Sequence, residues 1–148
     1  MVIMDEDKDL LIKDLYGRLL YGVECKDIYT NVSGKLDEIS TRYNMCRLSD
    51  VYGELETCYI PNCRPYLFPL SSMTEEQEKE ISKRYNYHNY FGLCIEITNH
   101  SEGYWDKDTS CNLQDYLWLE DWYNKNHFDY RGLIEKGLAI DATDKNIY

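Results

Sequence analysis

The sequence predicts an α+β fold: a small antiparallel sheet, of meander or partly closed barrel type, with an N-terminal helix and C-terminal helices packed on it. Three observations carry that reading. Leucines recur at helical spacing near the amino end. Residues 22–70 are cut every few positions by turn-forming residues between strand-like segments, and residues 112–137 return to helical periodicity. A length of 148 residues points to one domain, 1–148. A chain of that size buries roughly 68–70% of its unfolded surface, enough for a core without staples.

The first helix is expected over residues 5–20. Leu11, Leu15 and Leu19 share one face with Ile12, Tyr16 and Leu20, and Asp5, Glu6 and Asp7 complement the positive end of the dipole. Gly22 is placed to end it in a left-handed conformation. Candidate strands follow at 22–32, 35–41, 43–48 and 54–60, separated by Asn31, Ser33-Gly34, Asn44, Ser49-Asp50, Gly53 and Pro61-Asn62.

Residues 61–73, PNCRPYLFPLSSM, carry prolines at 65 and 69 on either side of Tyr66-Leu67-Phe68. Proline lacks an N–H donor, so this segment is expected as an extended crossing or edge strand and not an inner one. Both Ser72-x-x-Glu75 and Thr74-x-x-Gln77 fit a capping box, which starts a glutamate-rich surface helix over 74–85 with Ile81 and Tyr85 as its main apolar positions. The apolar run FGLCIEI, 91–97, reads as a buried strand. A helix over 113–125, capped by Asn112, is apolar over a wide arc that includes Trp118, as for burial on two sides or a homo-oligomer contact. A last short helix is expected over 130–136, capped by Asp129 and stopped by Gly137, with a fraying tail over 141–148.

Composition narrows the function. The net charge of -11, from 27 acidic and 16 basic residues, repels a phosphate backbone and argues against nucleic-acid polymers as partners. Fifteen tyrosines supply flat rings with polar tips, suited to half-buried strands and equally to a binding surface. The amino end has no apolar signal-peptide core, so a reducing, cytoplasmic setting with free thiols is expected, and no run approaches a membrane span.

The six cysteines, at 25, 46, 58, 63, 94 and 111, form no CxxC. Cys58-x4-Cys63 is at most half a zinc site, because His88, His100 and His127 stand at no complementary spacing, and no metal is expected. Asp106-x-Asp108 lacks the glycine and distal glutamate of a calcium loop. The phosphate-cradling GxxxxGK[ST] and GxGxxG loops are missing, as is the GxSxG nucleophile turn, so no catalytic residues and no cofactor are assigned.

The densest run of local signals lies over 122–142, and its corner Asn126-His127-Phe128-Asp129-Tyr130-Arg131 is the best candidate site. His127 near Asp129 would allow acid/base chemistry, against the competing role of satisfying a turn. Arg64 and Arg131 each lie beside a tyrosine, and a guanidinium with an aromatic ring can clamp a small nucleotide; structural ion pairing is the competing role for both. The candidate ligand-binding residues are accordingly Arg64, Tyr66, Phe68, Asn126, His127, Asp129, Tyr130 and Arg131.

The blocks CRPYLFPLSSMTEEQ and NKNHFDYRGLIEKGLAIDAT, with the leading DLLIKDLYGRLLYGV, resemble an uncharacterised family of small proteins encoded by phages and prophages of gut Bacteroidales. The likeness covers roughly a third to a half of the chain and leaves out 86–110. It implies context and no activity: a phage accessory protein in a bacterial cytoplasm, of the kind that blunts host defence. Two functions follow as expectations. One is a non-enzymatic binder that sequesters a small nucleotide-like ligand; the alternative is an acidic interaction module that occupies a host protein. A hydrolase using His127 ranks third.

Overall fold

The computed structural model describes residues 3–85 and 113–148. The expected strand over 91–97, the Asp106/Asp108 loop and the Asn112 cap lie outside the described residues.

Helix α1 (Asp5–Arg18) carries Asp5, Glu6 and Asp7 in its first turn, tightens into a single 3-10 turn at Leu19–Tyr21 and stops at Gly22, whose φ of 66° is the left-handed conformation expected there. Among the described residues seven strands follow: β1 (Glu24–Asp27), β2 (Ser33–Ser40), β3 (Met45–Ser49), β4 (Leu55–Tyr59), β5 (Cys63–Pro69), β6 (Phe128–Asp129) and β7 (Ile140–Asp141). Helix α2 (Glu75–Tyr85) and helix α3 (Leu113–Lys125) lie between β5 and β6 in the chain. The fold is α+β. Its sheet runs β4-β3-β2-β1-β5-β6 with β7 on β5, so it is open and not a closed barrel.

The turns form where the sequence breaks. Asp27 accepts hydrogen bonds from the Tyr29 and Thr30 N–H groups, and Asn31 takes a φ of 67° to bring the chain back into β2. Asp50 does the same for Tyr52 and Glu54 ahead of β4. Gly34 is no break. It sits inside β2, where a Cβ would stand 2.6 Å from the Ser49 carbonyl oxygen of β3, so only glycine lets the two backbones approach. A register shift between Leu36 and Glu38 bulges β2 against β3. Bulges bend a strand and sharpen its twist.

The edge-strand expectation fails at β5. It is an inner strand: β1 pairs with its first half, and β6 and β7 run parallel to its second. The prolines are tolerated for a local reason. The Ile28 N–H to Asn62 carbonyl bond sets the alternation of the antiparallel β1–β5 ladder, leaving Pro65 opposite Cys25 at a non-hydrogen-bonded position. Pro69 closes the strand.

Residues 131–139 are turns and not a helix. Gly132 adopts a φ of 74°, which ends any right-handed run before it starts, while the Asp129 carboxylate accepts the Leu133 and Ile134 N–H groups, each at 2.9 Å. The tail does not fray either. The Ala142 N–H bonds to the Leu67 carbonyl, and the Tyr148 hydroxyl donates to the Tyr66 carbonyl and accepts from the Glu24 N–H.

Two apolar clusters result. Leu11 and Leu15 of α1 meet Val23, Cys25, Leu36, Leu48, Ile60 and Leu67 of the sheet layer. Met73, Ile81 of α2, Leu119 and Tyr123 of α3, and Phe128 form the second. On α3 the wide arc is divided: Leu119, Trp122 and Tyr123 are buried, whereas Leu113 and Leu117 are exposed. No described helix is long and apolar enough to cross a membrane.

Candidate functional site

The corner over 126–131 is assembled as a brace between α1, α3 and β6. Arg18 and Asp14, one turn apart on α1 and both 0% exposed, form a two-pronged pair at 2.8 and 3.1 Å. The same guanidinium donates to the Phe128 carbonyl at 2.6 Å. Arg131 reaches Asp14 at 3.4 Å and Glu120 of α3 at 3.3 Å, and donates to the Tyr130 hydroxyl at 2.9 Å. Tyr130 in turn donates to Asn124 at 3.0 Å, with both guanidinium groups lying over its ring. Burial, eased by the arginines, pushes the Tyr130 phenol up to about 12, so it stays protonated as that donor.

His127 is held in a left-handed conformation, φ 63°, and its ring lies flat on that of Tyr148 at 3.7 Å. Burial, with Arg18 nearby, lowers its pKa to about 4, and the imidazole is neutral at physiological pH. Asp129 lies in the same corner, but its carboxylate is engaged by Leu133 and Ile134, so the two do not form an oriented acid/base couple. Asn126 donates to the Trp122 carbonyl.

The second predicted group lies on β5. Arg64 is 2% exposed and donates to the carbonyls of Gly137 at 2.9 Å, Pro61 at 2.7 Å and Cys63 at 3.0 Å. Its partners are backbone carbonyls, where the sequence led to expect a carboxylate or a phosphate. Tyr66 is buried with its hydroxyl 3.3 Å from Ser33, and Phe68 packs on Phe128 and Tyr148. His127, Asp129, Tyr130 and Arg131 are thus brought together; Asp129, Tyr130 and Arg131 are engaged inside the protein, while the buried Nδ1 of His127 has no hydrogen-bond partner.

An open space lies at the other end of the sheet. A cavity of about 370 Å³ is lined by Glu38 and Ser40 of β2, Met45, Cys46 and Arg47 of β3, Thr57 of β4 and Tyr43 of the β2–β3 turn. Arg47 is half exposed and stands 3.8 Å from Glu38, a loose pair. Tyr43 is 66% exposed, with the Arg42 guanidinium over its ring at 5.4 Å. The sequence does not show this grouping because Glu38, Arg47 and Thr57 come from three strands and become neighbours only through their registers.

The chain also gathers thiols. The sulfurs of Cys46, Cys58 and Cys63 all lie within 4.8 Å of one another, and Cys25 adjoins Cys63. All four are buried and free of disulfides. Burial pushes the Cys25 thiol up, and hydrogen bonding to Cys25 together with burial does so for Cys63. The Cys58-x4-Cys63 spacing is the half of this arrangement that the sequence shows. Comparison with known proteins finds no matching family model, no matching curated protein and no matching solved structure.

Proposed function

We propose that the protein binds, without transforming it, a small nucleotide-like ligand on the outer face of β2, β3 and β4, and that it does so as a phage or prophage accessory protein that withholds a nucleotide signal from its host. The observation that carries this reading is the cavity, which arranges an aromatic ring, a guanidinium and two hydroxyls around one space. Its volume of about 370 Å³ falls in the range of small-molecule sites, roughly 300–1,000 Å³. A base stacks on Tyr43, phosphate meets Arg47 in a charge-assisted contact, and Ser40 and Thr57 offer hydroxyls to a sugar. The loose Arg47–Glu38 pair exchanges its carboxylate for phosphate at little cost, because exposed pairs contribute about 0–1 kcal/mol. The setting in host defence rests on the resemblance to the Bacteroidales phage family.

Isothermal titration with cyclic dinucleotides and ADP-ribose tests it. Binding heat is expected, with affinity weakened about tenfold or more by Arg47→Ala or Tyr43→Ala and unchanged within about twofold by Arg131→Ala. Absence of heat with every such ligand, together with no nucleotide carried through purification, would sink the reading.

A further inference from the structure

We infer that Cys46, Cys58 and Cys63, with Cys25 as the fourth sulfur, form a tetrahedral thiolate site for a soft divalent metal ion of the zinc class. Each ligand arrives from a different strand. Cys46 and Cys58 are register partners on β3 and β4, Cys63 opens β5 directly after the turn at 60–62, and Cys25 lies on β1 opposite Pro65. Their Cα atoms are fixed by hydrogen-bonded ladders, so the sulfurs converge by construction of the sheet. Three sulfurs within 4.8 Å of each other are close to the separation a metal needs. With metal–sulfur bonds of about 2.3 Å, tetrahedral ligands stand about 3.8 Å apart. Cys25, on β1 and packed in the same buried cluster, lies outside that group of three and is placed as the ligand that closes on the ion. A set of four sulfurs without histidine or carboxylate selects zinc or iron over magnesium or calcium.

An independent observation points to the same place. Arg64, the residue after Cys63, is buried; its other donors meet the carbonyls of Gly137, Pro61 and Cys63, its Nη2 has no hydrogen-bond partner, and no carboxylate pairs with it among the described residues. Burying a guanidinium with no anion is costly. Protonated thiols supply none. When four thiols bind one divalent ion, four S–H bonds break, four metal–sulfur bonds form and four protons leave to solvent, so the centre carries a net charge of two minus. That charge would offset the buried Arg64 cation, the next residue after Cys63.

The test uses the full chain. Purified protein is expected to carry one zinc per chain, released by a mercurial reagent, and six reduced thiols when denatured with chelator and no reductant. Cobalt(II) titration of the stripped wild type should give sulfur-to-metal charge-transfer bands and the visible absorption of a tetrahedral four-sulfur centre. Cys46→Ser and Cys63→Ser abolish uptake, Cys25→Ser leaves a weaker, altered cobalt spectrum, and Arg64→Met weakens metal affinity by about 10–100-fold. Because serine variants of a buried cluster can fail to fold, the wild-type titration decides. Folded, reduced protein that takes up neither zinc nor cobalt overturns the site, as does a disulfide recovered between any two of these cysteines. A Cys25→Ser protein with the wild-type cobalt spectrum overturns the four-sulfur assignment.

Discussion

At the residue scale, the corner that stands out in the sequence is tied into the fold through Asp14 and Arg18. Asp14 and Arg18 are fully buried and bond in two places, so removing Asp14 strips Arg18 of its carboxylate, and removing Arg18 leaves Asp14 only the longer contact to Arg131. Asp14→Ala or Arg18→Ala should each destabilise the fold by about 3–5 kcal/mol, and the double variant that carries both changes by clearly less than the sum. Urea denaturation of the single and double variants, read as a cycle, checks this. His127 makes a second prediction through its pKa of about 4 against 6.5 for a free imidazole. Between those values the unfolded chain takes up a proton that the folded one refuses. Stability therefore falls as pH drops from about 6.5 to about 4, and the loss saturates below that. For this partly exposed ring it should amount to about 1–2 kcal/mol after solvent screening. The stability difference between wild type and His127→Gln should be constant above about pH 7 and move against the wild type below about pH 6; a difference that never changes with pH would refute the assignment.

At the element scale, most of what is local is legible. The N-terminal helix, its stop at Gly22, the breaks at Asn31, Asn44, Asp50 and Gly53, and the helices at 75–85 and 113–125 all follow from side chains acting within a few residues of themselves. Of the two capping boxes, the reciprocal one forms at Thr74 and Gln77, with bonds of 2.9 and 3.2 Å. What fails depends on partners far along the chain. Pro65 reads as an edge signal until β1 supplies a register that makes its missing donor harmless, and residues 130–136 read as a helix until Gly132 takes a left-handed φ. Gly34 reads as a turn because nothing in its neighbourhood shows Ser49 approaching. Gly34→Ala should destabilise by about 1–3 kcal/mol, as overpacking against fixed backbone does, whereas Gly53→Ala, with open space around its Cβ, should suffer only the backbone strain of its φ of 80°. Thermal melts of the two variants separate these effects.

At the scale of the whole molecule, function-bearing arrangements are the least visible, because they arise only in the assembled sheet. The open sheet juxtaposes Cys46, Cys58 and Cys63, which come from three strands and share no motif, with Cys25 in the same buried cluster. Its hairpins bring Tyr43, Arg47 and Thr57 around one cavity on the outer face. Arg64 and Arg131, the arginines beside tyrosines in the sequence, are engaged internally, whereas Arg47 is half exposed, and the proposed clamp is placed there for that reason. The most direct measurement is an amide chemical-shift map of the isotope-labelled protein titrated with a cyclic dinucleotide or ADP-ribose. Saturable shifts confined to residues 38–47 and the neighbourhood of Thr57 are the predicted result, and shifts centred on residues 126–131, or none at all, would contradict the account.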